Sequence, residues 1–496
     1  MRRLRAAALG SAAALLATLA NASVGAEPAF VVSIDPAVRQ EPYTGRLYVA
    51  LAPAGSRQEP RSAMHGWFSP PPVFAIDVEG LAPGAPARLD SSALAHPVAL
   101  DQLEAGEYRI QAIARINPDS PKAGLGAGDL ISPVVTARLD PEAGFSIDLV
   151  LSEVVPEREF RETARVRLFE VESRLLSTFH GRLCTMRAGV VLPEGFNADA
   201  ATTYPVVYWI GGFGGDHFSA HGLPRWLAAA PEAQQAIWVV PDPSCYRGHS
   251  VFADSANNGP WGAALVHELI PALEAAYRGA GAEQRYVSGV SSGGWSSLWL
   301  QLNYPDEFAG CWSHVPDPVE LHHFQTVDVY GGDNMYADED GAERPIARRG
   351  GQVMLTARDF VARETVLGPG GQIHSFEAVW SPRLPGGEPR PLFNRETGAI
   401  DPVTAEAWRD YDIAHLVRAR WDAIGPKVRG KIHVYAGGED TFYLELAIPA
   451  LQEAFAEVGS DAVVEIIDGM PHMLHGPGHE DMLQAIVTRR DQLRAQ

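Results

Sequence analysis

The stretch RYVSGVSSGGWSSLWLQL, residues 285–302, places a serine between a strand-like run and a helix-like run. Residues 285–290 have the length and β-branched or aromatic content of a buried strand, and residues 294–302 supply a helix. Between them, Gly289-Val290-Ser291-Ser292-Gly293 fits the pattern G-x-S-x-G. The glycines answer a steric demand. A serine presented on a sharp strand-to-helix turn leaves no room for side chains two residues to either side. The same turn aims the helix N-terminus at the serine, where the dipole favours developing negative charge. Alone, the pentapeptide could be a plain glycine-rich turn. The strand before it and the helix after it make Ser291 a candidate nucleophile.

A serine hydroxyl needs a base to become nucleophilic. In strand–turn–helix sites of this kind the partners follow in the order serine, acid, histidine. Asp440 lies in Gly437-Gly-Glu-Asp440, just past an expected strand at 431–436, and His472 lies in Asp468-Gly-Met-Pro-His472, past one at 462–467. Both fall at the carboxyl ends of strands, where open α/β sheets build their sites. His472 is expected to take the Ser291 proton, with Asp440 fixing its tautomer and stabilising its cation. Glu439 and His475 are the rival acid and base. The oxyanion is expected to meet the backbone N–H of Ser292 and one from the loop after an early strand. That strand is 206–210, the loop is Gly211-Gly212-Phe213-Gly214-Gly215, and Phe213 N–H is the second candidate donor. The loop lacks the Lys-Ser/Thr ending and the G-x-G-x-x-G spacing of phosphate-binding loops. His472, His475 and His479, followed by Glu480 and Asp481, have a spacing that could face a metal from one side of a helix. Pro471, Gly476, Pro477 and Gly478 argue against a helix there, so no metal is expected. His322-His323 is expected at the surface.

Working outward, 496 residues favour two domains. Residues 27–155 alternate short apolar runs, at 46–51, 73–78, 107–116, 133–139 and 145–151, with Pro/Gly-rich turns. This spacing predicts an N-terminal β-sandwich of immunoglobulin-like kind, an accessory domain without a catalytic cluster. Trp67 and Phe68 are either core aromatics of that domain or a platform for carbohydrate. From 156 to 496, strands at 166–171, 187–192, 206–210, 236–240 and 285–290 alternate with helices at 262–277 and after Ser292. A strand at 431–436, a helix at 443–458, a strand at 462–467 and a helix at 480–493 complete the series. The alternation predicts βαβ units and a mostly parallel sheet. It breaks at about 325–425, a Gly/Pro-rich stretch read as an insertion near the site, with short helices such as 404–418.

The formal net charge of -21 sets the surface against phosphate backbones and excludes nucleic acid as a partner. Arg2, Arg3 and Arg5, an apolar run at 6–20 and small residues at Ala22 and Ala26 predict a cleavable signal peptide over residues 1–26. The chain is therefore expected to be periplasmic or secreted. The apolar run is shorter than the roughly 20 residues that span a bilayer, and no later segment is apolar enough. Cys184, Cys245 and Cys311 could hold one disulfide, or be three buried small hydrophobes.

These residues resemble the branch of the α/β-hydrolases that includes esterase D, feruloyl esterases and enterochelin esterase-like enzymes. The resemblance rests on Tyr204-Pro-Val-Val-Tyr208, the loop from Gly211 to Gly215, and Asp254-Ser-Ala-Asn-Asn-Gly259. It continues in Glu268-Leu-Ile-Pro271, the turn from Gly289 to Gly294, and Tyr304-Pro-Asp-Glu-Phe308. It covers roughly 160–320 and 430–495. Gly211 stands where the family usually has histidine, and the insertion at about 325–425 departs from its small members. The resemblance implies an α/β-hydrolase fold and hydrolysis of a small-molecule or carbohydrate-linked ester, with no metal or organic cofactor. The alternatives are an acyltransferase using the same triad and an inactive binding protein that keeps the fold.

Overall fold

The computed structural model describes residues 27–196, 202–228, 235–332 and 334–495. The leader expected at 1–26 lies outside them. The chain divides into two compact units, Met1–Ile116 with Ala123–Val155 and Asn117–Lys122 with Pro156–Gln496. Among the described residues no helix is long and apolar enough to cross a membrane. Cys184, Cys245 and Cys311 are buried free thiols, which selects the second of the two readings of the cysteines.

The first unit is built of strands. Ala87–Leu89, Ala29–Ile34 and Ser146–Leu151 form a three-stranded sheet. A seven-stranded sheet is centred on Tyr43–Pro53, flanked by Val73–Leu81 and Gly106–Ala114. Alternate residues of both sheets turn inward, as period-two strands require. Phe30, Val32 and Ile34 of one sheet share a core with Leu47, Val49, Leu51 and Ile110 of the other. Phe68 is exposed and Trp67 half-buried, so neither is a core residue.

The second unit carries an eight-stranded sheet. Its strands are β1 (Val166–Glu172), β2 (Thr185–Val191), β3 (Val206–Ile210), β4 (Ile237–Pro241), β5 (Arg285–Val290), β6 (Gly310–His314), β7 (Ile432–Gly437) and β8 (Val463–Ile467). They lie in the order β1-β2-β4-β3-β5-β6-β7-β8, with β2 antiparallel to both neighbours and the rest parallel. This is the α/β-hydrolase arrangement. The central strands read as continuous apolar runs because both faces are covered, whereas β8 at the edge is only partly buried. Register sets the site. Val290 pairs with His314, His314 with Tyr435, and Gly437 with Ile467, so the carboxyl ends of β5 to β8 fall side by side.

Helix α1 (Ser292–Asn303) follows β5 directly and is buried from Ser292 to Leu302. Its approach to the sheet depends on Gly293, where an added Cβ would lie 2.0 Å from the carbonyl oxygen of Ile210. Ile210 cannot move without breaking its strand pairing, nor Gly293 without displacing the buried α1. Gly293→Ala is therefore expected to lower unfolding stability by about 3 kcal/mol in a urea titration. Gly476→Ala, where nothing lies within 4 Å, should stay within about 0.5 kcal/mol.

One expected helix is present with a local change, and two other expectations need correction. The helix at 262–277 is Trp261–Ala264 and Ile270–Tyr277 joined by a π-turn at Leu265–Leu269. Pro271 has no N–H to donate and its ring crowds the preceding turn, so the ladder widens there. The helix expected at 404–418 is two, Pro402–Trp408 and a longer one, α2 (Ile413–Val428), that starts where Asp412 accepts from His415 N–H. The final helix, α3 (Gly476–Arg494), begins inside the Pro/Gly run judged unfit for it. Proline is tolerated in a first turn, whose N–H groups have no helical partner, and His475 caps that turn. The stretch 325–425 also holds a hairpin, Pro345–Arg349 with Gln352–Thr356, and helices Ala357–Leu367 and Gln372–Trp380.

Candidate active site

Ser291 sits between β5 and α1 at φ 61° and ψ -125°, a backbone state that costs a non-glycine residue on the order of 1–3 kcal/mol. The surroundings hold it there. Its N–H donates to His314 O at 3.0 Å, and its carbonyl accepts from Trp295 N–H at 3.0 Å. Gly289 cannot carry a side chain, since an added Cβ would lie 2.3 Å from Gly293 O. On the other side, Gly212 comes so near that its Cβ would lie 3.2 Å from Ser291 Cβ. The N–H of Gly215 donates to Gly212 O at 2.9 Å and folds Gly211–Gly215, with the half-exposed Phe213, into a tight turn beside the serine.

Asp440 and His472 come together from the loops after β7 and β8. His472 Nδ1 lies 2.7 Å from Asp440 Oδ2. Asp440 is fully buried, and its Oδ1 accepts from Phe442 N–H at 2.8 Å. The Phe442 ring meets the His472 ring edge-on, 4.9 Å between centroids. The two loops are zipped by Gly438 N–H to Ile467 O and Glu439 N–H to Met470 O. The stretch 325–425 braces the acid loop, because Arg348 Nε donates to Asp440 O at 3.0 Å and Gln325 Nε2 donates to Phe442 O at 3.1 Å. With Nδ1 committed to the carboxylate, Nε2 is the ring nitrogen left for proton transfer.

The rivals are placed elsewhere. Glu439 is exposed. His475 Nδ1 accepts from Gly478 N–H at 3.2 Å, capping α3. His479 is buried against Trp226, 4.3 Å between ring centroids, and burial pushes it down to about 4. His322 and His323 are exposed, as expected, but each has a carboxylate partner, Asp328 and Glu320, that sequence reading did not find.

The structure adds a second acid. Asp317 follows β6 in the run Pro316-Asp317-Pro318 and is 2% exposed. Its Oδ1 accepts from Ser291 Oγ at 3.3 Å and its Oδ2 from Ser292 Oγ at 2.6 Å. Burial pushes its carboxyl up to about 6, against the pull of Ser292, His472 and Ser291. Ser291 and His472 share no hydrogen bond in this structure; the serine hydroxyl points to Asp317 instead. Bonds of this kind commonly form only once substrate is bound.

Residues 182–465, more than half of the chain, match the family model described as Putative esterase. The chain belongs to that family. It is a hydrolase acting on ester bonds. No curated protein sequence matches it. Among solved structures, an S-formylglutathione hydrolase from Agrobacterium tumefaciens is 17% identical, with 67% of this chain and 95% of that chain covered and a TM-score of 0.37. A CE1 ferulic acid esterase from Anaeromyces mucronatus is 15% identical over 65% of this chain and 89% of that chain, with a TM-score of 0.34.

Proposed function

We propose that this esterase is an exported carboxylic-ester hydrolase working through a Ser291–His472–Asp440 triad and an acyl-enzyme. The observation that carries the reading is the 2.7 Å pairing of His472 Nδ1 with a fully buried Asp440, beside a serine on a strained turn. Ser291 Oγ attacks the acyl carbonyl as His472 Nε2 takes its proton. For this the hydroxyl turns from Asp317 to His472. The tetrahedral oxyanion is held by the backbone N–H groups of Phe213 and Ser292. His472 returns the proton to the leaving alcohol, and the acyl group stays on Ser291. Water, deprotonated by His472, then releases the carboxylic acid and restores the serine.

The substrate is a small-molecule or carbohydrate-linked ester, and the stretch 325–425, which braces the acid loop through Arg348, sets the acyl group accepted. The leader at 1–26 directs export to the periplasm or the medium. The strand-rich unit, whose two sheets share one core, is an immunoglobulin-like β-sandwich serving as accessory domain.

A fluorophosphonate probe tests the central step. It should label the pure protein and leave Ser291→Ala unlabelled. Equal labelling of Ser291→Ala would move the nucleophile, and an unlabelled parent protein would favour an inactive binding protein. Added alcohol should divert less than about a tenth of the acyl group, since only a site that excludes water from the acyl-enzyme would transfer it.

A further inference from the structure

Next to the oxyanion loop lies a buried histidine that the mechanism above does not use. His249 ends the short strand Gly248–His249 and is 2% exposed. Backbone groups occupy both of its ring nitrogens. Val251 N–H donates to Nδ1 at 3.0 Å, and Nε2 lies 3.1 Å from Gly211 O. An N–H can only donate, so Nδ1 must carry the lone pair and the proton must sit on Nε2, which donates to Gly211. Burial pushes the imidazole down to about 4, which keeps it neutral in that tautomer around pH 7.

The backbone at this point is held under strain. Val251 and Phe252 are consecutive non-glycine residues at φ 47° and 49°. Such strain persists only where surrounding contacts over-determine it. One of those contacts comes from Gln372–Trp380, inside the stretch 325–425. Ser375 Oγ accepts from His249 N–H at 3.0 Å and donates to His249 O at 2.9 Å, so one hydroxyl clamps both backbone groups of the histidine. Gly248, at φ 122°, permits the approach, because an added Cβ would lie 2.6 Å from Ser375 Cβ. A continuous path of bonds thus runs from Ser375 through His249 to Gly211. The next residue, Gly212, lies so near Ser291 that an added Cβ would be 3.2 Å from the serine Cβ, and Phe213 follows it.

We propose that His249 and Ser375 are positioning residues that together hold the Gly211–Gly215 loop, and with it the oxyanion donor, in its productive geometry. The proposal rests on the reading of Phe213 N–H as a donor to the oxyanion. A donor displaced by a fraction of an ångström loses most of its grip on a charge that exists only in the transition state, while substrate binding barely changes. The stretch 325–425 therefore acts on turnover through Ser375, apart from any role in acyl choice.

The experiment uses the full-length protein, p-nitrophenyl acetate as substrate and a trifluoromethyl ketone that forms an oxyanion on the nucleophilic serine. His249→Asn keeps an acceptor for Val251 N–H and cannot reach Gly211. His249→Gln can reach Gly211 with its amide donor. His249→Asn and Ser375→Ala should each lower kcat by about 30-fold with KM within about threefold, and weaken the ketone by the same factor. His249→Gln should recover kcat to within about fivefold of the parent. The double variant should lose about as much as either single one, because both break the same path. Unchanged kcat in His249→Asn would overturn the brace. So would equal losses in the Asn and Gln variants that follow their drop in melting temperature. Phe213→Pro deletes the N–H together with the ring, and Phe213→Ala deletes the ring alone: full activity in Phe213→Pro removes the donor, whereas a loss there beyond that of Phe213→Ala, with full activity in His249→Asn, removes only the brace.

Discussion

His472→Ala lowers kcat/KM for p-nitrophenyl acetate by about 10³-fold or more, and His475→Ala stays within about threefold of the parent. The two histidines are three residues apart, yet their surroundings give them different work. His472 reaches from the loop after β8 to a fully buried carboxylate at 2.7 Å, which fixes its tautomer and leaves Nε2 free to exchange a proton. His475 Nδ1 is engaged by Gly478 N–H in the cap of α3, and its ring packs on Tyr435 at 4.9 Å. Removing a cap costs about 1 kcal/mol of stability and no proton-transfer group. Steady-state kinetics with melting curves separate the two effects: His475→Ala should show the lower melting temperature, and His472→Ala the lost turnover. A large loss of kcat in His475→Ala at unchanged stability would move the base to His475.

How much could be read beforehand depends on how local each feature is. Central strands β3 and β4 are legible because both faces are buried, so they appear as unbroken apolar runs. Asp440 and His472 are legible because each lies in the short loop that follows a strand's carboxyl end. Asp317 is equally close to its strand, but its meaning comes from the pairing of β6 with β5, which sets its carboxyl under Ser291. No spacing along the chain encodes that neighbour. His249 is hidden for the same reason, since its partners stand at 211, 251 and 375. The start of α3 was masked by its own chemistry. Pro477 and the flanking glycines read as a breaker run, yet a first helical turn has no N–H bonds for proline to remove. The stretch 325–425 looked irregular because its helices are joined by Gly/Pro turns, although their apolar faces are well buried.

Asp440→Asn should cost far more turnover than Asp317→Asn, and the contrast decides which carboxylate serves the histidine. Asp440 accepts from both His472 Nδ1 and Phe442 N–H. An asparagine there can turn an amide donor toward His472 and select the wrong tautomer, so kcat should fall by about 10³- to 10⁴-fold. At Asp317 two electrostatic effects oppose each other: its negative charge favours the imidazolium formed on His472 and disfavours the oxyanion formed at Ser291. Its neutralisation should leave kcat within about tenfold of the parent. Stability moves the other way. Burial holds the Asp317 carboxyl up at about 6, above the usual carboxylate range near 4. The folded state therefore binds this proton more tightly than the unfolded state. The stabilisation it brings is complete below about pH 4 and is lost as pH rises through about 6. Asparagine is neutral at every pH and avoids the loss. Asp317→Asn should thus be more stable than the parent by on the order of 2 kcal/mol at pH 8 and no more stable at pH 4. Urea unfolding at both pH values, beside the kinetics, reads this directly. If Asp317→Asn loses about 10³-fold in kcat and Asp440→Asn does not, the triad acid is Asp317, and Asp440 only orients the loop that carries Phe442.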